Sequence, residues 1–329
     1  MTRLMVYGAT GYTGRMAATH ARAAGLDLIL AGRDEPRLAE LGRSLGVEHR
    51  VFALDHDAAI DAALQDVAVL LNCAGPFQRT ADPLMRGVIR AGTHYLDIAA
   101  ELDSYRLAEA YDAQAQASGV MLLPGSGGSV AMLGSLVGRA TERLGRPHTI
   151  RVALHVAGAM SRGSAITAAE NLSTGCLERV DGALRSREPG TTQSFNFGSG
   201  PVPSFPVTLP DLMTLWKALQ VPNIGTFVHV SGSAFPTGDL MALPDGPSAE
   251  ERDANRYQAA VEMTDGGGET VRAILDTVNG YSFTPIAAAE AARRVLAGEV
   301  RPGFQIPTEL FGNGFAETIA DTTIHILQD

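Results

Sequence analysis

Six short, nearly continuous apolar runs, at residues 4–7, 28–31, 50–54, 67–72, 94–98 and 120–123, alternate with stretches of helix-forming composition at 14–24, 35–45, 57–64, 83–91 and 102–118. Unbroken apolar runs belong to strands buried on both faces, and a helix between successive strands is what parallel connections need. The first 125 residues are therefore expected to form a doubly wound parallel α/β sheet.

The turn after the first run sharpens this. Val6-Tyr7-Gly8-Ala9-Thr10-Gly11-Tyr12-Thr13-Gly14 follows a strand and opens a helix, with spacing GxxGxxG. In that setting Gly8 permits a tight turn, Gly11 lets backbone approach a pyrophosphate, and Gly14 lets helix pack on strand. The amides of Thr10, Gly11, Tyr12 and Thr13 and the helix dipole then face an anion. This is a Rossmann-type dinucleotide site by sequence.

The second run ends Ala31-Gly32-Arg33-Asp34. An NAD site usually places an acidic residue here for the ribose hydroxyls, whereas a guanidinium pairs with a 2′-phosphate. Arg33 favours NADP(H), Arg37 is a second phosphate candidate, and Asp34 leaves NAD open. Asp55 is placed to reach the adenine edge, or equally to start the next helix. Ala74, Gly75, Pro76 and Phe77, just past the fourth run, are candidate backbone contacts near the topological switch point.

Beyond the turn Pro124-Gly125-Ser126-Gly127-Gly128 the pattern changes. A helix at 130–144, a strand at 149–157, a helix from near Ser164, loops at 188–206, a hairpin at 261–277 turning on Asp265-Gly266-Gly267-Gly268, and a helix at 285–296 read as an α+β domain over 126–329. Its carboxyl-terminal segment can pack back on the first domain. His155, in an apolar strand pattern, reads as a hydrogen-bonded core histidine, and Ser164 as an N-cap.

A net charge of −10 with no basic tract excludes a broad nucleic-acid surface. No apolar stretch approaches membrane-spanning length, and no signal peptide precedes the first run, so a cytoplasmic protein is expected. No HExxH and no His/Cys/Asp cluster is present, so no metal site is expected. The sole lysine, Lys217, has Met213 four positions before it, which removes the Tyr-x-x-x-Lys pair of short-chain dehydrogenases.

GATGYTG, AGR, NCAGPF, HYLDIAAE and PGSGGS over the first 130 residues, with GFQIPTELFG near the end, together resemble the saccharopine dehydrogenase-like oxidoreductases, the group that includes trans-acting enoyl reductases. The resemblance implies a Rossmann domain, an α+β substrate and dimerisation domain, homodimers, and NAD(P)H chemistry on a small-molecule substrate. The family usually has glycine where Ala100 stands. Arginines that would clamp a dicarboxylate, among them Arg179, Arg187, Arg256 and Arg272, read instead as solvated.

Catalytic candidates must lie at the carboxyl edge of the sheet. Tyr95 and Asp97 fall on one side of the fifth strand by period two, with Glu101 in the next turn. Ser161, Arg162, Ser164 and Thr167 are candidates in the second domain. The sequence reads as an NADPH-dependent reductase of a C=N, C=C or C=O bond, with a non-catalytic NADP(H)-binding redox sensor as the alternative.

Overall fold

The computed structural model describes residues 2–166, 175–188, 190–232 and 238–327. The chain divides into two compact units: residues 1–128 with 284–310, and residues 129–283 with 311–329.

In the first unit, strands β1 (Arg3–Tyr7), β2 (Leu28–Gly32), β3 (Glu48–Val51), β4 (Val67–Asn72), β5 (His94–Asp97) and β6 (Met121–Leu123) alternate with helices α1 (Tyr12–Ala23), α2 (Glu35–Leu45), α3 (Asp57–Ala63), α4 (Phe77–Ala91), α5 (Leu102–Ala110) and α6 (Asp112–Ala117). Hydrogen bonding orders the strands β6-β5-β4-β1-β2-β3, all parallel, with Gly303–Phe304 adding a seventh strand beside β6. This is the doubly wound order, and its switch point lies between β1 and β4. Burial follows the expectation: every residue of β2 is buried, as are all but one residue each of β1 and β4.

Several boundaries differ from the sequence reading. Strand β3 starts at Glu48 and stops at Val51, so Phe52 to Leu54 already form the loop. Helix α4 begins at Phe77 and carries Pro83 within it, where the proline sits on the exposed side of a strongly one-sided helix only partly covered. The stretch 102–118 is two helices meeting at Tyr111. The strand Gly303–Phe304 is too short to leave a periodic signal.

The second unit is built on a mixed sheet. Helix α7 (Ser129–Leu144) precedes β7 (Thr149–Ala157), the hairpin β8 (Cys176–Val180) and β9 (Ala183–Arg187), β10 (Gln193–Asn196), β11 (Pro201–Pro206), helix α8 (Asp211–Leu219), β12 (Asn223–Ser231), and the hairpin β13 (Tyr257–Thr264) and β14 (Thr270–Thr277). The order is β10-β11-β12-β7-β13-β14, followed by Thr323–Ile326, and only β12 with β7 is parallel.

The region 188–206 thus holds two strands where loops were expected. Its prolines and glycines mask the pattern, and β11 shares its short pairing between β10 at residues 201–204 and β12 at 205–206. The turn of the second hairpin forms as its composition requires: Gly268 has φ +90°, and the Asp265 carboxylate accepts from the amides of Gly267 and Glu269. The helix expected from Pro285 starts earlier, at Gly280, and runs to Leu296 with Pro285 inside it.

Candidate cofactor site of the first unit

The three glycines of the first turn have separate reasons to be glycine. Gly8 has φ +78°, and a Cβ there would lie 2.8 Å from the Cβ of Ala74 at the end of β4. A Cβ on Gly14 would lie 2.2 Å from the carbonyl oxygen of Gly8. Both are demanded by internal contacts. Gly11 is exposed, and a Cβ there would meet only the Gly8 oxygen, at 3.3 Å. Its missing side chain therefore opens outward, as a surface for close backbone approach does. Gly11 is also the N-cap of α1 and offers no side-chain cap, so the first turn of the helix presents its amides and the positive end of its dipole there. Thr10, Tyr12 and Thr13 flank it, half-buried.

At the end of β2, Arg33 is exposed and forms no ion pair among the described residues. Asp34 is the N-cap of α2, its carboxylate accepting from the Arg37 amide at 3.1 Å. Arg37 is exposed, with its guanidinium 4.0 Å from Asp34. Asp55 is exposed beside His56, and it is His56 that holds the N-cap position of α3. Tyr7 ties this region together: burial raises its hydroxyl pKa, the Arg33 charge lowers it, and the Asp55 charge raises it. Arg33 and Asp55 thus converge past the ends of β1, β2 and β3.

The loop after β4 is held from below. The Asn72 side chain accepts from the Ala74 amide (3.0 Å) and donates to Thr80 (3.0 Å) and to the Tyr95 hydroxyl (3.2 Å). Thr80 in turn donates to the Ala74 carbonyl at 2.7 Å. Gly75 is exposed, the Gly75-Pro76 bond is cis, and Pro76 is the N-cap of α4. Phe77 is buried, and its amide donates to the Glu101 carboxylate at 2.7 Å.

Tyr95 and Asp97 do share one side of β5, and both are fully buried. The Asp97 carboxylate accepts from the Tyr95 hydroxyl (2.9 Å), the Ser104 hydroxyl (2.7 Å), the Ala99 amide (3.0 Å) and the Gly125 amide (2.8 Å). Burial pushes its pKa up, and these four donors oppose that. The Asp97 carbonyl accepts from Ser126. One continuous network thus joins the loops after β4, β5 and β6. Glu101 is also buried, its carboxylate set at the start of α4. Asn72, Thr80, Ser104 and Ser126 were absent from the sequence-derived candidates; a buried Asn closing an apolar parallel strand was the available signal.

In the second unit, Ser161 rather than Ser164 caps the helical turn at 162–166, accepting from the Ser164 amide at 3.2 Å. Arg162 is engaged by Asp245 and by the Leu243 carbonyl. Thr167 lies outside the described residues. Arg179 is buried rather than solvated, donating to the Leu212 and Gly182 carbonyls, while Arg187, Arg256 and Arg272 are paired with Glu178, Asp276 and Glu262. His155 is half-buried and hydrogen-bonded, on a sheet face rather than in the core.

No helix among the described residues is long and apolar enough to cross a membrane, and no group of three or more His, Cys, Asp or Glu among them is placed to hold a metal ion.

Comparison with known proteins places the first unit. Residues 4–123 match the model of the saccharopine dehydrogenase NADP binding domain. A trans-acting enoyl reductase of Mycobacterium tuberculosis is 31% identical over 106 residues, covering 30% of this chain and 25% of that protein. The saccharopine dehydrogenase-like oxidoreductase of Mus musculus is 29% identical over 144 residues, 38% of this chain and 34% of that protein. The matched segments thus span about a quarter to a third of the length of these relatives. Saccharopine dehydrogenase (L-Glu forming) from Saccharomyces cerevisiae shares the fold over 100% of both chains, with a TM-score of 0.67 at 13% identity. Over residues 4–123, this chain is thus similar to saccharopine dehydrogenase NADP binding domains.

Proposed function

We propose that the chain is an NADPH-dependent reductase that transfers hydride to a C=N, C=C or C=O bond of a small or medium organic molecule. The observation that carries the cofactor preference is the division of labour after β2. Asp34 is engaged in capping α2, while Arg33 beside it is exposed and, among the described residues, without an ionic partner. A guanidinium so placed suits a 2′-phosphate, and the carboxylate that would favour ribose hydroxyls is drawn to the α2 amide end through one of its oxygens.

The residues fit the group. The exposed Gly11 and the uncapped amides of α1 would hold the pyrophosphate, Arg33 with Arg37 the 2′-phosphate, and Ala74 to Phe77 the nicotinamide half. When bound, the cofactor supplies the hydride. The chain's own contribution in this unit is position: Asn72, Tyr95, Asp97 and Glu101 are buried and hydrogen-bonded to the loops after β4 and β6, so they act as positioning residues for those loops. The bond reduced, the homodimer that the family resemblance implies and a cytoplasmic location belong to this reading as well.

Arg33→Ala tests it. NADPH binding is expected to weaken by about tenfold or more, the worth of a lost charge-assisted hydrogen bond, while NADH binding holds. Equal loss for both would remove the 2′-phosphate assignment. Gly11→Val should abolish binding of either cofactor while leaving the unfolding midpoint near wild type, since Gly11 packs against nothing but the Gly8 carbonyl. Turnover is read by NADPH absorbance with a panel of imines, enones and ketones.

A further inference from the structure

Across the second unit's sheet, strand register sets His229 of β12, His155 of β7, Gln258 of β13 and Asp276 of β14 in one row. Their side chains are chained. The Gln258 Nε2 is 2.9 Å from Asp276 Oδ2, and Gln258 Oε1 is 2.8 Å from His155 Nδ1. Asp276 is itself held by Arg256 through its other oxygen, at 2.7 Å from Nε.

This fixes the histidine tautomer. A carboxylate accepts and cannot donate, so the amide end facing Asp276 is the NH2 end. The end facing His155 is then the oxygen, an acceptor, and His155 must carry its proton on Nδ1. In the neutral ring Nε2 is left with its lone pair, and the atom 2.8 Å from it is the hydroxyl oxygen of Ser231. The serine donates to the histidine. The groups facing His155 are the His229 ring, 4.9 Å away between centroids, the Phe197 ring at 5.5 Å, and Asp276 with Arg256 behind Gln258. Burial first, and then the His229 charge, lower the His155 pKa, with the Gln258 bond opposing, so the neutral ring is the form present at neutral pH.

Ser231 is half-buried, the last residue of β12, and Gly232 after it has φ +72°. A hydroxyl bonded to a base, with the base oriented by a third group, is the arrangement that activates a nucleophile.

We propose that Ser231 is an acyl-transfer nucleophile, with His155 as its general base and Gln258 as a positioning residue, in a site that hydrolyses aryl carboxylic esters. Ser231 Oγ bonds to the ester carbonyl carbon as its proton passes to His155 Nε2. The carbon–oxygen bond to the aryl group breaks, and His155 returns the proton to the departing phenol. Water then bonds to the acyl carbon, giving a proton to His155, and the acid leaves as Ser231 regains that proton. No redox change occurs. The leaving group departs on the His155 side, where the half-buried Phe197 and His229 rings lie beside the imidazole; an aryl ester is the substrate class that suits neighbouring rings.

The test uses the full chain with p-nitrophenyl acetate and a fluorophosphonate label. Expected are release of p-nitrophenolate and stoichiometric labelling that peptide mapping places on Ser231. Ser231→Ala should lose the labelling, and His155→Ala should slow it by at least about a hundredfold, the lower range of general-base contributions. The rate should rise with pH to a midpoint below 6.5, and Gln258→Leu should move that midpoint lower because its bond raises the His155 pKa. Thermal unfolding of each variant checks folding. No labelling of the folded wild type, labelling elsewhere, or a rate unchanged in Ser231→Ala would overturn the proposal.

Discussion

Asp97 in the first unit and Asp211 in the second are both fully buried, yet Asp97 accepts four hydrogen bonds through its carboxylate, whereas Asp211, among the described residues, has no partner beyond its own backbone amide. Asp211 opens helix α8, where the dipole favours negative charge, but burial dominates and pushes its pKa up to about 7. The hydroxyls of Ser204 and Thr214 in the same unit are also buried without partners among the described residues. The contrast separates two uses of a buried carboxylate. One anchors three loops at the carboxyl edge of the sheet; the other, among the described residues, has only its own amide against the cost of burial, and it holds a proton up to neutrality.

The largest expected effect comes from breaking the satisfied member. Asp97→Ala leaves the Ala99 and Gly125 amides and the Tyr95 and Ser104 hydroxyls without their acceptor, and should destabilise the protein by at least about 3 kcal/mol in urea unfolding. A loss below about 1 kcal/mol would mean that water replaces the carboxylate, and the two aspartates would no longer be opposites.

Asp211→Asn should do the reverse. A folded-state pKa above the unfolded carboxylate value means that the native state binds the proton more tightly, so stability is greatest at low pH and falls as pH rises through about 7. The asparagine variant lacks that slope. Between pH 5 and 7 it should gain on the wild type by about 1 kcal/mol per pH unit, with the gap level above that range. A gap independent of pH would show that Asp211 is ionised throughout.

The smallest effect is expected at Glu101. Glu101→Gln keeps an acceptor for the Phe77 amide and removes only the charge at the start of α4, so a loss of roughly 0.5–1 kcal/mol in stability is expected, with turnover nearly intact. Unchanged stability with a collapse of turnover would instead place Glu101 in the chemistry.

What the sequence discloses follows from how local the cause is. Strand β4 and helix α2 stand at the residues expected, because an apolar run and an Asp34 cap followed by Gly46 are local signals. The glycine turn was equally legible, since Gly8 and Gly14 answer to contacts that any strand-turn-helix of this kind makes. Strands β10 and β11 were hidden by their prolines and glycines. The polar networks were illegible for a different reason. Asn72 and Tyr95 lie 23 residues apart, His155 and Ser231 lie 76 apart, and His155 and Gln258 lie 103 apart, so only the folded sheet brings their complementary donors and acceptors together. Tyr95 and Asp97 were found by strand periodicity, but their burial depends on what α5 and the loop after β6 lay over them.

Calorimetric titration of the wild-type protein with NADPH and with NADH tests whether the first unit selects NADP(H) through Arg33 while Asp34 serves as the cap of α2. NADPH is expected to bind tighter by about tenfold or more, as befits an added charge-assisted contact to the 2′-phosphate. Equal affinities, or a preference for NADH, would contradict it.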